Sequence, residues 1–244
     1  MLATTQGFVF RTTPYSETSV IAKIFTLHYG IMSFMIKRVR SSKGRNKQNL
    51  LQPLSYLDIS FYYNHKAEIQ YIKELKPAKQ WNTIPFDCSK TTIIFFMTEL
   101  LYKTIREEEA NLPLFKHIAT SLNTLDNQTE ALENFPITFM ISTAKLLGIE
   151  PRNNYDNLHT LFNLNEGCFV TQPSIFGNAD NILDNNTSLA LYQYLSYPAN
   201  NICMPYIQRN AVLKSLLQYY KIHFENLSEF QSHIILHEVL QYKL

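Results

Sequence analysis

The sequence predicts an α+β chain, with a small β-barrel first and an all-α domain after it. Three observations carry this reading. The first eighty of the 244 residues follow the two-residue period of strands, and the remainder turns to a helical period. Charge divides at the same place. Residues 1–80 hold twelve Lys/Arg against four acids, about +8, while residues 81–244 hold ten against sixteen, about −6, inside a total of only +2. A basic module joined to an acidic one points first to a polyanion, because clustered cations release condensed counterions when they meet phosphates.

Five strands are expected at 5–11, 19–27, 31–37, 54–63 and 69–75, each rich in Val, Ile, Phe and Tyr. His28-Tyr29-Gly30 makes a tight connection between the second and third, with Gly30 suited to positive φ. In the fourth, Leu57, Ile59 and Phe61 alternate with Asp58, Ser60 and Tyr62, which sets Tyr62 opposite the apolar face. The third is apolar at nearly every position, as a strand covered on both sides would be. Five short strands with one long connection between the third and fourth fit a closed barrel of the OB type; an SH3-like barrel shares these strand statistics.

Lys76-Pro77 to Pro85, around the single tryptophan Trp81, sets the expected boundary between a domain at 1–80 and one at 81–244. Beyond it, Ile93, Phe96, Met97, Leu100, Leu101, Thr104 and Ile105 form one helical face. A second helix starts near Pro113 with Phe115, Ile118, Leu122 and Leu125 inward. A third, with Pro136 in its first turn, runs through Phe139, Met140 and Thr143 and stops at Gly148. Residues 152–186 read as an irregular, Asn-rich insertion with one strand-like piece at Cys168-Phe169-Val170. Helices then follow at 187–197, through Val212 to Tyr220, and at the end, near Tyr242.

The candidate site is the run from Lys37 to Lys47, where Lys37, Arg38, Arg40, Lys43, Arg45 and Lys47 put six cations in eleven residues with no acid among them. It lies in the long connection of the basic module, where a solvated loop is the plain alternative. Arg11 and Lys23 add positive charge nearby in sequence, and Tyr62 is the ring best placed to meet a base. Cations tracking a backbone while bases stack on rings is the usual solution for single strands.

Enzyme readings find no support. With six glycines there is no G-x-G-x-x-G, G-x-x-x-x-G-K-[ST] or G-x-S-x-G, and no triad spacing stands out. His233 and His237 have i, i+4 ligand spacing without a third ligand, and Glu107-Glu108-Glu109 reads as a solvated helix end. Three separated cysteines give neither a disulfide framework nor a paired zinc site, and Cys168 and Cys203 are expected as buried apolar groups. Residues 1–6 lack the regions of a signal peptide, and no apolar run reaches the length of a membrane span, so a cytoplasmic, nucleoid-associated protein is expected.

Several segments resemble one family. Gly7-Phe8-Val9-Phe10-Arg11-Thr12-Thr13-Pro14-Tyr15-Ser16-Glu17, then Phe25-Thr26-Leu27-His28-Tyr29-Gly30, Lys37-Arg38-Val39-Arg40 and Leu51-Gln52-Pro53-Leu54, resemble the opening of RecO DNA repair proteins. Glu99-Leu100-Leu101-Tyr102 and the segments from Leu217 to His223 and from Ser232 to Leu240 are similar to the family's helices. The resemblance implies an N-terminal OB-fold, a helical C-terminal domain and a non-enzymatic role in recombinational repair. That role comprises binding single- and double-stranded DNA, annealing complementary strands and, with RecR, helping RecA onto strands coated by single-strand-binding protein (SSB). It places the DNA surface on the six cations of the run, with Arg11 and Lys23, and implies a receptor for the acidic tail of SSB, for which Arg209, Lys214 and Lys221 are candidates. It implies no cofactor. Many members carry a four-cysteine zinc site where this chain has Cys168 alone, so no metal is carried over. Two readings outside the family stay open: an OB-type binder of RNA, and a scaffold whose basic loop meets an acidic protein.

Overall fold

The computed structural model describes residues 1–39, 45–105, 109–171, 181–197 and 202–240, with the side chains of 45 and 46 outside the description. Five strands, β1 (Leu2–Pro14), β2 (Val20–Thr26), β3 (Gly30–Ile36), β4 (Tyr56–Tyr62) and β5 (Ile69–Pro77), close a barrel in the order β1-β2-β3-β5-β4. The β3–β5 pairing is parallel and the others antiparallel, so the long third connection has to cross the barrel end. That order and closure are those of an OB-type barrel.

Leu57, Ile59 and Phe61 turn inward as the alternation of the fourth strand predicts, Val9, Ala22, Ile24 and Phe34 complete the interior, and Val39 and Leu51 pack against them. Gly30 takes φ 64° in the β2–β3 turn, while the buried Thr26 hydroxyl donates to its carbonyl at 2.8 Å. Two expectations need correcting. Of the apolar run from Ile31 to Ile36, only Phe34, Met35 and Ile36 are buried; Ile31 to Ser33 remain partly exposed. The third connection contains a helix, α1 (Arg45–Leu50), drawn in by Leu51 and Leu54 just after it, both almost fully buried.

Close packing groups the barrel with Met97–Leu122 as one compact unit, and Cys88–Phe96 with Asn123–Leu244 as the other. Within the first, helix α2 (Cys88–Thr104) contributes its last turns and α3 (Leu112–Asn127) most of its length. Phe8, Phe10 and Phe25 lie outside the barrel bore yet are nearly inaccessible, because Phe115 packs onto Phe8 at 4.8 Å and Phe25 at 6.0 Å. A bulge at Phe10, between the paired residues Val9 and Arg11, lets its ring stack on Phe25 at 5.7 Å.

In the second unit, α4 (Phe135–Leu146) and α6 (Tyr206–His223) bury the apolar faces expected of them, and α5 (Asn185–Ser196) and α7 (Ser232–Leu240) are helices where helices are expected. An end near Tyr242 lies outside the described residues. Tyr220 donates its hydroxyl to the Met140 carbonyl at 2.7 Å, and Tyr194 donates to Asn134 at 2.6 Å, so these two phenols are satisfied in the interior. Burial holds Tyr194 and Tyr220 well above the usual phenol range. The expected strand β7 (Cys168–Val170) pairs with β6 (Leu161–Asn163), which the sequence pattern does not reveal; three residues are too few to show a period. The cysteine expectation is corrected: Cys203 is exposed and Cys168 half-buried, because Phe169 takes the inward position of β7.

Asp184 caps α5, accepting from the Thr187 hydroxyl at 2.7 Å and from the amides of Asn186 and Thr187. The Thr187 side-chain bond, then the amide bonds, hold its carboxyl below the usual range. Asp184→Ala is therefore expected to cost about 1 kcal/mol at neutral pH. The folded value is depressed, so the charged cap's contribution is present above the unfolded value near 3.9 and is lost as pH falls through the lower folded value. Urea unfolding of wild type and D184A at a series of pH values should show their difference narrowing below about pH 4.

Candidate nucleic-acid interface

The cationic run leaves the barrel where β3 ends. Val39 is 2% exposed and its N–H donates to the Thr18 carbonyl at 2.8 Å, which pins the run to the β1–β2 turn. Lys37 and Arg38, just before this anchor, are exposed. Arg38 has φ 61°, a left-handed conformation that costs a non-glycine residue about 1 kcal/mol, held here between β3 and the buried Val39. Lys47 is exposed on α1. Arg40 and Lys43 lie outside the described residues, as does the Arg45 side chain.

Two groups form on the barrel's outer surface. In the first, Tyr62 of β4 pairs directly with Tyr71 of β5, each residue is 53% exposed, and the Lys37 ammonium sits 5.5 Å from the Tyr71 ring centre. In the second, Arg11 and Lys23 are cross-strand partners, and both hold to Tyr102 of α2. Arg11 donates to the Tyr102 hydroxyl at 3.3 Å, and the two cations lie 5.5 and 5.8 Å from its ring. The ring's negative face offsets the repulsion of two like charges set directly opposite. The structure thus joins Lys37 to Tyr62 through Tyr71, and Arg11 to Lys23 through Tyr102.

Neither tyrosine bridge follows from the sequence. Tyr102 lies on the partly exposed side of α2, beside the face that the helical period identifies. Tyr71 follows buried Gln70, but a bulge leaves Lys73 without a register partner, and this breaks the β5 alternation.

In the second unit, an apolar pocket is walled by Pro136 and Ile137 at the start of α4, Tyr206 and Leu213 of α6, and Leu236 and Leu240 of α7. Of the candidate tail-binding cations Arg209, Lys214 and Lys221, only Arg209 borders it. Arg209 lies 5.7 Å from the Tyr206 ring and donates to the Met204 carbonyl at 3.2 Å. Lys221 instead pairs with Glu229. His237 also lines the pocket, edge-on to Tyr206 at 4.9 Å, so its ring has a packing role. Among the described residues, no three His, Cys, Asp or Glu side chains converge as a metal site would require, and no helix is long and apolar enough to cross a membrane.

A closed OB-type barrel with a cationic exit at the end of β3, followed by a helical chain, defines the class. The profile described as Recombination protein O N terminal matches residues 1–81, and that described as Recombination protein O C terminal matches residues 85–229. The chain is 30% identical over 240 residues to a DNA repair protein RecO of Phocaeicola vulgatus, covering 98% of this chain and 99% of that one. Against the protein of the same name from Flavobacterium psychrophilum it is 31% identical over 238 residues, covering 96% and 98%. The chain belongs to the RecO family.

Proposed function

We propose that this protein is a non-enzymatic recombination mediator in DNA repair. It binds single- and double-stranded DNA, anneals complementary strands and, with RecR, assists loading of RecA onto SSB-coated strands in the nucleoid. The observation that carries the DNA reading is the exposure of Lys37 and Arg38 at the end of β3, where Val39 anchors the run, and of Lys47 on α1. Residues 1–80 are the proposed DNA-binding domain and 81–244 the partner-binding one, in keeping with their opposite charge.

Annealing needs no bond chemistry. Two phosphate chains repel, and a protein that neutralises both while leaving base edges free lowers that barrier. The apolar pocket beside Arg209 suits an acidic peptide ending in apolar side chains, which is the character of an SSB tail. The glutamate at its rim, Glu133, favours a tail that keeps its acids on the Arg209 side.

The test is annealing of complementary DNA strands, and of RNA strands of the same sequence, by the full chain at low and moderate salt. DNA annealing should accelerate, and the acceleration should fade as salt rises. Acceleration of RNA alone would reassign the barrel to RNA. Absence of salt-dependent binding to either would favour the scaffold reading.

A further inference from the structure

Tyr62 and Tyr71 are large, more than half exposed and directly paired across β4 and β5. They stand outside the barrel, since their neighbours Phe61 and Gln70 take the inward positions at 0% and 4% exposure. Their surroundings are basic on the side where the cationic run leaves. Lys37 is held over the Tyr71 ring, and Lys73 is exposed two residues further along β5. The first acid beyond Tyr71 on that strand, Glu74, is engaged by Lys76 at 2.9 Å.

From this arrangement we infer that Tyr62 and Tyr71 form a stacking platform for unpaired bases of single-stranded DNA, with Lys37 supplying the contact to the adjoining phosphate. The inference rests on the proposed DNA binding and adds to it a means of telling single strands from duplex. A ring stacks on any base that is free to turn its face outward, so the platform tolerates sequence. A base inside a duplex has both faces covered by its neighbours and cannot use the rings, whereas phosphates of either form can meet the cations. Lys37 is already packed against Tyr71, so its ammonium is placed beside the ring before the strand arrives.

Two measurements test this on the full chain. The first needs no variant: wild type is titrated with a labelled oligothymidylate strand and with an abasic strand of equal length and charge. The abasic strand should bind about tenfold more weakly, by the same factor at every salt concentration, because stacking releases no counterions. The second compares Y62A/Y71A with Y62F/Y71F. The alanine pair should lose about tenfold for oligothymidylate and clearly less for a blunt duplex, while the phenylalanine pair, which retains the rings, should lose little for either. Equal binding of the two strands by wild type overturns the platform even if the alanine pair fails to fold. So does an equal loss for duplex and single strand in a folded alanine pair. In both cases salt-dependent DNA binding would survive, leaving the broader reading intact. If wild type binds no DNA at all, both fall.

Discussion

Gly7→Ala is expected to destabilise the barrel more than Gly148→Ala destabilises the helical unit, because an added methyl at Gly7 has no room. A Cβ at Gly7 would lie 2.5 Å from Ile24 Cγ2, 3.1 Å from the Phe25 carbonyl oxygen and 3.2 Å from Ile59 Cδ1. Gly7 pairs with Thr26 of β2 and with Leu57 of β4, so β1 is held on both sides there and cannot slide away. Ile24 is fully buried and β-branched, which leaves its Cγ2 no alternative rotamer at low cost. The Phe25 oxygen is backbone in the β2 ladder. Overpacking of this kind costs about 1–3 kcal/mol, and the entropy lost by the unfolded chain on gaining a side chain returns less than about 1. A net destabilisation of about 2 kcal/mol is expected, read from urea unfolding by the barrel's signal. Gly148→Ala is the reference. At φ 78° it carries the left-handed penalty but meets nothing within 4 Å, so it should cost only about 1 kcal/mol. An order in which Gly148→Ala is the worse of the two would remove the close approach at Gly7 as a constraint on the barrel.

Much of the fold is legible in the sequence because both periods are strongly written. Leu57, Ile59 and Phe61 alternate inward as expected, and Ile93, Phe96, Met97, Leu100 and Leu101 are buried along one side of α2. What escapes is what a period cannot encode. Helix α1 is six residues long and polar, and it is placed by the apolar residues that follow it. Phe8, Phe10 and Phe25 look like core from composition, but which side of the sheet covers them depends on Phe115, far along the chain. An isolated piece ending at residue 80 would uncover these three rings, so binding measurements belong on the full chain. The site is legible as charge and illegible as geometry. The density of cations from Lys37 onward is a property of the sequence, whereas Tyr71 joins Lys37 to Tyr62 only through register, and Tyr102 joins Arg11 to Lys23 only through the placing of a helix.

The same distinction separates two sets of cations in their expected effect on DNA. Replacing Lys43, Arg45 and Lys47 together with alanine is expected to flatten the dependence of log K on log salt by about 2 for single strands, since each phosphate left unneutralised removes about 0.7 from the slope. Because that electrostatic contribution fades near 1 M salt, a slope change of this size corresponds to a weakening on the order of 50-fold near 0.15 M. The weakening should be uniform across sequences, since phosphates carry no sequence information. Stability should stay within about 0.5 kcal/mol of wild type, as the charges of a polar, cation-rich run contribute little to folding. Annealing of bare complementary strands should slow in step with affinity. Arg11→Ala with Lys23→Ala is the contrasting pair. Arg11 already donates to the Tyr102 hydroxyl, and the two cations crowd one ring as cross-strand neighbours, so together they are expected to meet fewer phosphates and their removal to change the slope by less per charge. Fluorescence anisotropy over a salt series reads both variants. A folded triple variant with unaltered affinity and slope would make the run a solvated loop, and the DNA surface would then move to β1 and β2 around Arg11 and Lys23.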